Sequence, residues 1–88
     1  MDEIEDMLET ILRQFHGRYP LDVTDQVFLA IEQNENFRRR YDQFADGDYA
    51  TTNKMIGRFV EEYTGLHVKG RNDHPKSSLI KSYSILGR

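Results

Sequence analysis

Ile4, Met7, Leu8, Ile11, Leu12 and Phe15 fall at i, i+3, i+4, i+7, i+8 and i+11. At 3.6 residues per turn this spacing lines six large apolar side chains along one helix face, whereas a strand would scatter them over both of its faces. Asp2, Glu3, Glu5 and Asp6 sit in the first turns, where the positive end of the helix dipole favours carboxylates. Gly17 supplies a left-handed stop and Pro20 follows it, so the spacing predicts a helix over residues 3–16. So apolar a stripe must be covered, and the rest of the chain offers further helices to cover it.

The next helix is expected to start at Thr24, whose hydroxyl can cap the backbone donors while Asp25 suits the first turn and Val23 staples onto Phe28. Val27, Phe28 and Ile31 give its inward face. Asn34 or Asn36 ends this helix and caps a third, in which Phe37, Tyr41 and Phe44 recur at i, i+4 and i+7. Asp46-Gly47-Asp48 reads as a turn. A fourth helix is expected from Thr52 or Asn53, with Met55, Ile56, Phe59, Val60 and Tyr63 on one face and Gly65 as its stop. Gly57 interrupts this helix at roughly 1 kcal/mol relative to alanine, a cost that close approach of another backbone would explain.

The last residues allow two arrangements. Residues 67–70 and 79–86 can pair as two strands around a polar turn, with Leu79, Tyr83 and Ile85 alternating against Ile80, Ser82, Ser84 and Leu86. Leu79, Tyr83 and Leu86 also fit helical spacing. The serines and β-branched residues favour the hairpin. The expected fold is therefore mainly α: one domain over residues 1–88, four helices plus a C-terminal β-hairpin, winged helix-turn-helix-like. The alternative is an all-α chain with a fifth C-terminal helix. Within it, residues 1–35 form an acidic helical half, and residues 36–88 carry the helix-turn-helix and the basic hairpin.

Composition narrows the function. The 88 residues contain no cysteine, which excludes disulfides, thiolate metal sites and cysteine nucleophiles. No apolar run approaches the roughly 18–20 residues of a membrane span, and the opening residues are acidic where a signal peptide is basic, so a cytoplasmic location is expected. The formal net charge of −3 hides an asymmetry: residues 1–35 hold nine acidic and two basic side chains, residues 36–88 six acidic and ten basic. Such polarity suits an anionic partner for the basic end, or attraction between opposite ends within the fold or between copies.

Catalytic chemistry finds little support. His16, His67 and His74 lack the i, i+4 spacing of a metalloprotease helix, and no cysteine completes a metal set, so neither metal nor cofactor is expected. The carboxylate pairs Asp2-Glu3, Glu5-Asp6 and Glu61-Glu62 fall on faces predicted to meet solvent, and no glycine-rich phosphate loop is present. The chain does not read as an enzyme. Arg38-Arg39-Arg40 spreads over about 300 degrees of a helix and cannot face one ligand. Ion pairs with Glu35 and Asp42, worth ~0.2–0.5 kcal/mol each, account for the run.

Residues 51–86 are more informative. A helix ending at Ala45, a turn of about six residues and a second helix at Thr52-Asn53-Lys54 form a helix-turn-helix arrangement, whose second helix meets base edges or phosphates with its N-terminal part. Thr52, Asn53, Lys54 and Arg58 are suitable types for that end. Lys69, Arg71, Lys76 and Lys81 would form a basic wing on backbone phosphates. Thr52-Asn53-Lys54-Met55-Ile56-Gly57-Arg58, then Gly65-Leu66, a basic turn and Tyr83-Ser84-Ile85, resembles the C-terminal winged-helix domains of phage and plasmid primase-helicases. The resemblance covers about 36 of the 88 residues, without the ATPase motor. It implies engagement of DNA at a replication origin by a stand-alone accessory protein of a phage or mobile element. The expectation is a non-catalytic nucleic-acid-binding accessory or regulatory protein. The alternative is a protein–protein interaction module or homo-oligomer that uses the acidic N-terminal helix.

Overall fold

The computed structural model describes residues 3–66, which form four helices: α1 (Glu3–Arg13), α2 (Val23–Gln33), α3 (Glu35–Ala45) and α4 (Tyr49–Thr64). Each helix touches the other three. The stripe of α1 is the centre of the core: Ile4, Met7, Leu8, Ile11 and Leu12 are almost wholly buried against Val23, Val27, Phe28 and Ile31 of α2, Tyr41 of α3, and Ile56 and Val60 of α4. The four-helix expectation is met, and among the described residues there is no strand. The expected hairpin over residues 67–70 and 79–86 lies outside the described residues.

Several helix boundaries differ from the expectation, each for a local reason. α1 stops at Arg13 rather than at residue 16. Beyond it the amides of Gln14, Phe15 and His16 donate to the carbonyls of Ile11, Leu12 and Arg13, three residues back, and His16 and Gly17 both take positive φ, 53° and 77°. Two successive left-handed residues turn the chain away, so the stop acts one turn early. α2 begins at Val23, not after a Thr24 cap; its N-cap is Asp22, whose carbonyl accepts from the Gln26 amide and whose carboxylate accepts from Gln26 Nε2 at 3.3 Å. The cap and the start of the helix thus lie two residues earlier than expected, and Val23 is buried.

A single residue joins α2 to α3. Asn34 is the C-cap of the first and the N-cap of the second, and its Oδ1 accepts from the Phe37 amide at 3.1 Å. Within α3 the inward face is narrower than Phe37, Tyr41 and Phe44 suggested: Tyr41 and Ala45 are buried, Phe37 is half-buried and Phe44 is 42% exposed. α4 begins three residues before Thr52, because Asp48 caps it by accepting from the Thr51 amide at 3.1 Å. The connection from α3 is therefore three residues, Asp46, Gly47 and Asp48, instead of about six; Asp46 and Gly47 make the reversal at φ 46° and 89°. Gly65, at φ 73°, closes α4. No other backbone approaches Gly57, since a Cβ built there would meet nothing within 4 Å beyond its own helix.

Candidate nucleic-acid interface

The turn between α3 and α4 decides which side of α4 faces water. Tyr49, in the first turn of α4, donates its hydroxyl to Asp42 Oδ1 on α3 at 3.1 Å, and its ring packs on Tyr41 with centroids 5.5 Å apart. One turn further, the Tyr41 hydroxyl donates to Asn53 Oδ1 at 2.6 Å. These two bonds fix the rotation of α4 about its axis, so Ile56 and Val60 point into the core.

Thr52 and Asn53, both expected at the binding surface, are consequently buried, at 4% and 8% exposure. The Thr52 hydroxyl donates to the Asp48 carbonyl at 2.8 Å, and the Asn53 carboxamide takes the Tyr41 bond while its Nδ2 has no hydrogen-bond partner. Both side chains serve the α3–α4 joint, and neither is presented to a ligand in this fold. Lys54 and Arg58 are exposed. With Thr51 they stand at i, i+3 and i+7, so the three form one stripe along two turns of α4. Half-buried Ala50 and Gly57 flank Lys54 on the same helix, leaving low ground beside the cation. Glu62 continues the stripe in the next turn and bounds its positive section.

Lys69, Arg71, Lys76 and Lys81, the expected wing cations, lie outside the described residues, as do His67 and His74. His16 is exposed in the turn after α1. Among the described residues no three His, Asp or Glu side chains come together as a metal cluster. None of the helices is long and apolar enough to cross a membrane, among the same residues. The arginine run behaves as a helix surface: Arg38 Nε lies 3.7 Å from Asp42, and Arg39 Nη2 lies 3.8 Å from Glu35. Asp42 thus pairs with Arg38, four residues back, and not with Arg39.

A second surface was not anticipated from the sequence. At the C-terminal ends of α1 and α4 four rings meet: Phe15 and Tyr19 at 6.1 Å, Tyr19 edge-on to Tyr63 at 6.5 Å, and Tyr63 stacked on Phe59 at 6.0 Å. Arg13 stands at its edge, its guanidinium pKa held above the ordinary value by the Glu9 carboxylate first and by the Tyr63 hydroxyl after it. The periodicity of α1 and α4 puts Phe15, Phe59 and Tyr63 on inward faces and leaves Tyr19 unassigned, and only Tyr63 and Phe59 share a helix. Their meeting with Phe15 and Tyr19 depends on the early end of α1.

No family model, no curated protein and no solved structure matches the chain.

Proposed function

We propose that this chain is a non-catalytic, cytoplasmic accessory or regulatory protein that binds DNA through the solvent face of α4. The observation that carries the reading is the exposed stripe of Thr51, Lys54 and Arg58 on a helix that follows α3 after three residues. A turn of three to four residues is the spacing that helix-turn-helix units use, and the first half of the second helix is the part that enters the major groove. Lys54, in that half, would contact phosphates or guanine edges with Thr51 beside it, and Arg58, one turn further along, would reach a backbone phosphate. Lys69, Arg71, Lys76 and Lys81 would add phosphate contacts as a wing, which is the part of the reading that leans on the likeness to primase-helicase end domains.

The alternative is a protein-interaction module or homo-oligomer that uses the acidic face of α1. Its support is the charge of residues 3–66, thirteen Asp and Glu against seven Lys and Arg. Against it, α1 spends its whole apolar stripe inside the domain and offers a partner only Glu5, Asp6, Glu9 and their neighbours.

An amide NMR titration of the full chain with a short DNA duplex separates the two. The DNA reading expects salt-sensitive shifts at residues 51, 54 and 58 that vanish in Lys54→Glu and Arg58→Glu variants with unchanged folded spectra. An unperturbed spectrum at low salt overturns it, because even non-specific binding registers there.

A further inference from the structure

The aromatic shelf formed by Phe15, Tyr19, Phe59 and Tyr63 is the place where the domain leaves ring surface uncovered. Phe15, Tyr19 and Phe59 are half-buried, and Tyr63 remains 39% exposed although it touches two of the other rings. Leu66, half-buried against the core two residues after α4, brings the chain out from the last turn of the helix that carries Tyr63 and Phe59. Twenty-two residues follow it.

The composition of those residues is uneven. Residues 67–78 are polar apart from Val68, with Gly70 and Pro75, while residues 79–86 hold Leu79, Ile80, Tyr83, Ile85 and Leu86 and no acid. Twelve connecting residues reach up to about 40 Å when extended, ample for a return to the surface they left. Charge favours the return as well. Residues 3–66 carry a formal −6, and residues 67–88 carry Lys69, Arg71, Lys76, Lys81 and Arg88 against Asp73 alone. In the chain, Glu61 and Glu62 directly precede Tyr63 and Asp22 follows Tyr19 by three residues, while Glu9 is held by Arg13.

We propose that the apolar segment 79–86 docks on the aromatic shelf of its own chain, through Leu79, Ile80, Tyr83, Ile85 and Leu86. The occupant is this segment and not a second copy, because it is tethered at the edge of the shelf and so meets it at a high effective concentration. The docking is tested without nucleic acid.

The absence of cysteine makes a single spin label straightforward: Ser84→Cys in the full chain, carrying a nitroxide, gives one paramagnetic centre in the segment. The expected result is that amide signals of residues 15–19 and 59–66 lose most of their intensity, more than any other part of the domain. In an equimolar mixture of isotope-labelled wild-type chain and unlabelled nitroxide-bearing chain, the same signals should be unaffected. A Gly87→Cys label, just beyond the segment, should give the same pattern and guards against disturbance of docking by the first label. Strongest broadening on another surface from both labels, or broadening nowhere in the domain, overturns the proposal. Broadening of the shelf in the mixture overturns it in favour of a second copy.

Discussion

Tyr41 on α3 and Asn53 on α4 share a buried hydrogen bond, the phenol hydroxyl donating to the carboxamide oxygen at 2.6 Å. Tyr41 is wholly buried and Asn53 nearly so, and the bond spans the turn that sets the rotation of α4. A polar pair in this position specifies one orientation of the two helices, because any other rotation strands both groups away from water.

Replacing Tyr41 by phenylalanine keeps the ring and removes the donor. The expected loss is about 1–2 kcal/mol, since Asn53 Oδ1 is then left without its partner in the core. In a domain of this size that lowers Tm by roughly 4–8 °C for each kcal/mol. Asn53→Ala should be costly too, and the double variant should lose less than the sum of the singles, because the same bond is removed twice. Thermal unfolding of the four proteins checks both the magnitude and the coupling.

Gly57 gives an opposite sign. It lies within α4 with nothing near its missing Cβ, so alanine there meets no clash and gains helix propensity. Gly57→Ala is expected to raise stability by about 0.5–1 kcal/mol, read as a higher urea midpoint with an unchanged slope.

The caps at the two ends of α3's connections are separable. Asn34→Ala removes the acceptor of the Phe37 amide, and Asp48→Ala that of the Thr51 amide. Each should cost about 1 kcal/mol. Hydrogen exchange should locate the loss, faster at residues 35–37 in the first variant and at 49–51 in the second. Global fraying in either would show that the caps do not act locally.

On the proposed DNA face, Lys54→Ala and Arg58→Ala should each weaken duplex binding and reduce the dependence of log K on log salt by about 1, the signature of one lost phosphate contact. Arg39→Ala, on α3 and paired with Glu35, should leave both quantities unchanged. Equal effects from all three would point to diffuse charge instead of a defined face.

The five core residues of α1 illustrate what a local pattern can carry. Ile4, Met7, Leu8, Ile11 and Leu12 are all buried as their spacing requires, and the turns at Gly17, at Asp46-Gly47-Asp48 and at Gly65 fall where φ is positive or a cap is needed. The start of α4 is ambiguous in the sequence, since Asp48, Thr51, Thr52 and Asn53 all have capping side chains and only one can be used. A start at Thr52 or Asn53 places these two residues on the candidate surface, whereas the cap at Asp48 buries both. Lys54 and Arg58 were legible because long cations stay in water whatever the helix start.

The four helices and the inward stripes of α1 and α2 follow from the order of the residues, because capping, left-handed stops and 3.6-residue periodicity are interactions between neighbours along the chain. The rotation of α4 comes from the packing of the helices, and with it the burial of Thr52 and Asn53 and the meeting of Tyr63 with Tyr19. Those outcomes depend on Tyr41 and Tyr49 reaching across from one helix to another, and on α1 ending early enough to bring Tyr19 to α4. Contacts between residues distant in sequence leave no period and no spacing to read; they exist only once the helices have packed.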